Sequence, residues 1–204
     1  MSLEFYEAEH KYTLDGEEIP SVSEILRFAT REVYQETDSF AMEAAADRGK
    51  RVHKAAEELD RTGRCECDGD IEGYVIAYRN FLREHDVKWD AIEKPVYDES
   101  AWYAGTIDRA GLLDKQPVIL DIKTTKKISG KHKLLYSAQL TAYKYAYTTN
   151  LYDTKLMILQ LHEDGTYKLI PIKDNPTVFT ACKSLHKEFE KTKRRKRNGK
   201  VATD

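Results

Sequence analysis

The nineteen residues from Gly105 to Lys123 constrain this chain more than any other stretch. They read as two β-strands joined by a polar turn, Asp114-Lys115-Gln116-Pro117. Ile107, Leu112 and Leu113 belong to the first strand, and Val118-Ile119-Leu120 opens the second. The second strand is apolar up to Asp121, after which Asp121 and Lys123 flank Ile122. Strand side chains alternate between faces, so Asp121 and Lys123 share one side and Ile122 takes the other. Asp108 lies early in the first strand, within reach of Asp121 if the two strands pair as a hairpin. Two carboxylates and an amine then gather at the edge of a buried sheet, an arrangement that is costly unless a ligand or a reaction uses it.

Carboxylates on rigid strands suit a hard divalent cation such as Mg²⁺ and leave coordination positions for water and a phosphate oxygen. A lysine two residues after the second carboxylate can orient that water, ease its deprotonation and offset developing negative charge. Asp-x-Lys alone equally describes an ordinary surface ion pair, so the rest of the chain has to decide.

A chain of 204 residues suits one domain with a full core. Its hydrophobic fraction of 41% and charged fraction of 33% describe a soluble globular protein. No apolar run approaches the roughly 20 residues of a membrane helix, and the Met-Ser-Leu-Glu start is unlike a signal peptide. A cytoplasmic setting with no membrane partner is expected. Cys65, Cys67 and Cys182 lack the spacing of a disulfide framework and fall short of the four thiolates of an iron–sulfur cluster, so they read as plain thiols.

The formal net charge of −2 conceals an asymmetry. Residues 191–204 hold seven of the 33 Lys/Arg and one of the 35 Asp/Glu, which leaves the preceding 190 residues at −8. The chain is thus read as a domain over 1–190 and a basic tail over 191–204 that includes Arg194, Arg195, Lys196 and Arg197. Such a tail adds nucleic-acid affinity through counterion release, or is simply a solvated helix end.

In chain order, residues 3–19 read as a β-hairpin turning at Asp15-Gly16. Ser21 and Glu24 have capping-box spacing at the start of a helix. A long helix is expected from Asp38 to Leu59, with Phe40, Ala44, Ala45, Val52, Ala56 and Leu59 as core contacts. Gly49 and His53 lie one turn apart on one face of it. A glycine there costs about 1 kcal/mol relative to alanine, which close packing on the sheet would explain, and such packing would aim His53 at whatever lies beneath. A lone histidine on a helix is otherwise a solvated or hydrogen-bonded one. Ile71 to His85 has clean helical spacing, and residues 88–123 read as an antiparallel meander that includes Glu93.

After Lys123 comes a loop with Lys126 and Lys127, then a helix from Leu134 to Tyr147 with Tyr136, Gln139 and Tyr143 on one face. That face either borders the carboxylates or is a packing stripe. A second hairpin spans Leu156 to Ile172, and Thr177 to Lys193 is the final helix. No repeat or Pro/Gly-rich linker divides the chain, so one α/β domain is expected.

Taken together, Gly49-x-x-x-His53, Glu93, Gly105-x-x-Asp108, Asp121-Ile122-Lys123 and Gln139-x-x-x-Tyr143 resemble the RecB-like branch of the PD-(D/E)XK nuclease superfamily, close to phage-type exonucleases. His10-x-Tyr12-x-x-Asp15-Gly16 with Ile19-Pro20-Ser21-Val22-Ser23 also resembles the N-terminal stretch of phage-encoded members. The likeness covers roughly residues 10 to 150. It implies a restriction-endonuclease-like α/β domain, a central mixed β-sheet flanked by helices, with the N-terminal β-hairpin appended. It also implies one or two Mg²⁺ or Mn²⁺ ions and no iron–sulfur cluster.

On this resemblance His53, Asp108, Asp121 and the backbone carbonyl of Ile122 hold the metal, and Lys123 orients the nucleophilic water. Gln139 and Tyr143 support the site and its phosphate, and Glu93 is the more loosely placed acid. Lys126, Lys127, Tyr143 and the basic tail are the expected nucleic-acid contacts. The implied activity is metal-dependent hydrolysis of DNA phosphodiester bonds, as an exonuclease at duplex ends in recombination, repair or phage replication. The implied partners are DNA and either a second copy of the chain or a single-strand-annealing recombination protein. A catalytically silent nucleic-acid-binding module on the same fold, and a structure-specific endonuclease, are the alternatives.

Overall fold

The computed structural model describes residues 2–7, 9–35, 38–67, 69–147 and 153–201, with side chains described through residue 192. Its centre is a five-stranded sheet of β4 (Val87–Asp98), β5 (Tyr103–Leu113), β6 (Gln116–Lys123), β7 (Lys155–Leu161) and β8 (Tyr167–Ile172), in that spatial order. Neighbours are antiparallel except β6 and β7, which are parallel and joined by the crossover helix α5 (Gly130–Tyr147). The sheet is therefore mixed, and the chain is an α/β protein. β6 is buried on both faces, as a central strand beside a parallel neighbour must be. Ile119, Leu120 and Ile122 are fully buried, each contributing about 1.5–3 kcal/mol relative to exposure.

The turn before β6 is tighter than expected. Gln116 and Pro117 already lie in the strand, leaving Asp114-Lys115 as a two-residue turn. Both residues take positive φ, 50° and 69°, as a hairpin turn that follows the natural strand twist requires. The Asp114 carboxylate secures it by accepting from the Asp86 N–H and from His85.

Helices cover both faces. α5 lies on one with α6 (Pro176–Val201), which carries its backbone helix past residue 190. α3 (Ser39–Thr62) and α4 (Glu72–Glu84) lie on the other, around Val52, Ala56, Tyr78, Phe81, Leu120 and Ile122. Asp38 caps α3 through the N–H groups of Phe40 and Ala41, and Gly63 ends it at φ 72°.

Phe40 and Ala44 are not core contacts. Phe40 is 80% exposed, and burial along α3 begins at Val52. A helix of 24 residues is about 36 Å long, against about 26 Å for the eight-residue β6, so its first turns overhang the sheet. Close packing is not the reason for Gly49 either. A Cβ there would meet only Thr124 Oγ1, at an ordinary 3.9 Å.

The N-terminal segment forms a three-stranded antiparallel sheet, β1 (Leu3–Tyr6), β2 (Lys11–Leu14) and β3 (Glu17–Ile19), one strand more than a hairpin. The short helix α1 (Val22–Ile25) follows with its capping box formed, and then α2 (Arg27–Tyr34). The Ala104 N–H donates to Pro20 O, and the Tyr12 hydroxyl meets Thr106 Oγ1 at 2.8 Å, tying this sheet to the outer half of β5. No helix among the described residues is long and apolar enough to cross a membrane.

Candidate metal centre

The site begins where two strands part. β5 and β6 pair from Leu113↔Gln116 to Arg109↔Leu120 and no further. β5 continues alongside β4 to Tyr103, while β6 continues alongside β7 to Lys123. Extending the lost register would set Asp108 opposite Asp121. Instead the Asp108 carboxylate turns into the fork and accepts the Ile122 N–H at 2.8 Å. The Ile122 carbonyl faces the same gap and lies 3.1 Å from His53 Nε2.

His53 reaches this point from α3. Its Nδ1 lies 3.4 Å from Glu93 Oε1 and 3.5 Å from Asp108 Oδ2. Burial disfavours the imidazolium, but the Asp108 and Glu93 carboxylates outweigh it and raise the His53 pKa to about 9. Glu93 lies within β4 and falls opposite Asp108 in the β4–β5 register. Its φ of 45° is unusual for a non-glycine residue, a local strain of order 1–3 kcal/mol that swings its carboxylate toward His53.

Asp121 and Lys123 share the α5 side of β6, and their Oδ2 and Nζ are 2.6 Å apart. That Asp121 oxygen is buried and makes no well-aligned hydrogen bond. Burial raises the Asp121 pKa, Lys123 opposes the rise and Asp108 adds to it, with a result of about 6. Lys123 is held above its ordinary range because the attraction of Asp121 and Asp108 exceeds the penalty of burial. Its ammonium also lies 5.1 Å from the centre of the Tyr136 ring, a cation–π contact.

The α5 face does border the carboxylates. Gln139 donates to the Tyr143 hydroxyl at 3.2 Å. The Tyr143 pKa is raised by burial first, with Asp121 and Asp108 adding to it, so the hydroxyl keeps its proton. Its ring crosses directly over Gly105, where a Cβ would stand 2.6 Å from Tyr143 Cε1. Gly105 is thus required by close approach. Lys126 and Lys127 are exposed on the loop that follows β6. The side chains of Arg194, Arg195, Lys196 and Arg197 lie outside the described residues.

The donors suit a divalent cation. Ligand atoms of His53, Glu93 and Asp108 all lie within 4.8 Å of one another. His53 Nδ1 is the nitrogen that faces both carboxylates, while Nε2 lies at hydrogen-bond distance, 3.1 Å, from the Ile122 carbonyl. Oxygen donors with one imidazole fit Mn²⁺ as well as Mg²⁺. The grouping differs in two respects from the expected His53, Asp108, Asp121 and Ile122. Glu93 is drawn in among the donors, and Asp121 turns its Oδ2 to Lys123.

Sequence reasoning missed Arg109, Asp60 and the role of Tyr136 beside Lys123. Arg109 is fully buried and donates to Asp60, Glu93 and the Asp108 carbonyl. The signal was present. A cation on a strand that is buried along most of its length must be paired, and Asp60 lies seven residues after His53, on the same face of α3.

No protein-family model matches the chain, and no curated protein matches it. Among solved structures it is similar to one described as "Crystal structure of SSO0001", at 15% identity and a TM-score of 0.39, covering 79% of this chain and 70% of that one. A likeness at that level carries no argument about function.

Proposed function

We propose that this protein is a divalent-metal-dependent DNA phosphodiesterase, an exonuclease acting at duplex ends, of the RecB-like PD-(D/E)XK kind that its motifs resemble. One observation carries the reading. At the fork of β5 and β6, Asp108, Asp121 and Lys123 converge with His53 and Glu93 around the backbone of Ile122. A fold seeking only stability gains little from three carboxylates and two basic groups in so small a space.

His53, Glu93, Asp108 and the Ile122 carbonyl would hold the cation, with Asp121 joining from the Lys123 side. When bound, the cation supplies Lewis acidity toward a phosphate oxygen and lowers the pKa of bound water. Lys123, charged and fixed by Asp121 and Tyr136, orients the attacking water and offsets the charge that develops on phosphorus oxygens. The protonated Tyr143 hydroxyl donates to a phosphate oxygen, and Gln139 holds it in place. Lys126 and Lys127 meet the DNA backbone at the rim.

The test is digestion of end-labelled linear duplex and of covalently closed circular DNA, each with Mg²⁺, Mn²⁺ or EDTA. Metal-dependent loss of the linear substrate alone is the expected result. Cleavage of both makes the protein an endonuclease. Binding without cleavage of either leaves the silent nucleic-acid-binding module.

A further inference from the structure

We propose that Arg109 is a positioning residue of this site, holding Glu93 and the backbone at Asp108 where the cation donors need to stand. The inference rests on the metal-dependent reading above. It comes from one atom. Arg109 Nη1 donates both to Glu93 Oε1, at 3.0 Å, and to the Asp108 carbonyl, at 2.6 Å. The same Glu93 oxygen is the one that faces His53 Nδ1 at 3.4 Å. A single nitrogen thus ties together two of the proposed donor residues, at the step where the β5–β6 ladder has ended and β6 no longer pairs with Asp108.

The rest of the guanidinium is anchored away from the site. Nε donates to Asp60, which also accepts from the Tyr78 hydroxyl at 2.7 Å, and the guanidinium lies over the Tyr78 ring. Asp60 and Tyr78 come from two different helices, so the anchor is rigid. Arg109 is 0% exposed, and its Nη2 has no hydrogen-bond partner among the described residues. A buried cation with an unpaired donor is an unfavourable way to fill space, and an apolar side chain would fill it better. What the charge secures is Glu93, which stands at φ 45° and needs an attraction to stay there. Partners of this kind behind a metal ligand typically change metal affinity 10–100-fold when lost.

The test is Mn²⁺-induced thermal stabilisation of the full chain, stripped with EDTA and without DNA. Arg109→Lys keeps the charge but cannot span Asp60, Glu93 and the Asp108 carbonyl together. It should raise the Mn²⁺ concentration for half-maximal stabilisation by about 10–100-fold. Asp60→Asn leaves the Nη1 contacts in place, so it should lower the melting temperature without Mn²⁺ yet keep the midpoint within about threefold of wild type. Should Arg109→Lys fail to fold, the Asp60→Asn/Arg109→Gln pair leaves neither partner charged and carries the same expectation of a raised midpoint.

An unchanged midpoint in the Arg109 variant, or equal shifts in Arg109→Lys and Asp60→Asn, would overturn the positioning role while leaving the metal reading intact. A wild-type chain that Mn²⁺ does not stabilise overturns the metal reading and this inference with it.

Discussion

Raising the pH of the metal-free protein from 6.5 to 9 should destabilise it, and His53 is the reason. Burial works against the imidazolium, yet Asp108 and Glu93 raise the folded-state pKa from 6.5 to about 9. The folded chain therefore holds this proton more tightly than the unfolded chain does. The resulting stability is complete below pH 6.5 and is lost as the pH rises through 9. Holding the proton up to a pKa of about 9 rather than 6.5 is worth about 3 kcal/mol. For a chain of this size each kcal/mol moves the melting temperature by about 2–4 °C, so the fall should be about 6–12 °C.

The assay is thermal unfolding followed by circular dichroism in EDTA across that range. His53→Gln keeps a donor toward the Ile122 carbonyl and does not titrate, so its curve should stay nearly flat. Mn²⁺ should reverse the sign between pH 6.5 and 8, because the imidazole must give up its proton to become a ligand, and metal binding therefore strengthens as protons become scarce. A wild-type melting temperature that holds constant or climbs in EDTA refutes the electrostatic reasoning. So does a His53→Gln protein whose melting temperature falls as steeply as the wild type's.

Three further outcomes follow from the same geometry. Lys123→Ala should still bind metal and DNA, while single-turnover cleavage falls by roughly 10²-fold or more; cleavage at the wild-type rate would remove the lysine from the chemistry. Asp121→Asn should lose cleavage, yet in EDTA at pH 7.5 it should melt no lower than wild type, because the folded protein disfavours the Asp121 charge above pH 6. A markedly lower melting temperature would mean that the Lys123 ion pair outweighs that penalty. Removing residues 191–204 should weaken DNA binding and flatten its dependence on salt with turnover at saturating DNA unchanged, and an unaltered salt slope would exclude the tail from DNA contact.

Much of the fold could be read from periodicity. The meander over residues 88–123, the α4 helix and the β7–β8 hairpin all have apolar spacing that permits one local structure. The overhang of α3 was not readable, because its alanines suit a helix wherever it lies, and only the length of the sheet decides which of them are covered. The site was legible as residue types in order, since Asp121-x-Lys123 on a strand fixes a shared face. Which donors stand together was not. That depends on where β5 and β6 stop pairing and on the left-handed backbone at Glu93, neither of which any local sequence pattern marks.

On the proposed reading, the fork is where function and stability meet, at Asp108. Parting β5 from β6 leaves both backbone groups of Ile122 without a strand partner, inside the protein, where an unmet donor costs about 1–3 kcal/mol. Asp108 satisfies the N–H and His53 faces the carbonyl, so side chains of the site stand in for the missing strand. Asp108 Oδ2 carries two duties, accepting from Ile122 and facing His53 Nδ1. The orientation of the Asp108 carboxylate is thereby fixed by the same hydrogen bond that closes the end of the sheet. The carboxylate cannot swing away without exposing an unpaired amide, and on the proposed reading this would hold the metal site rigid before a cation binds.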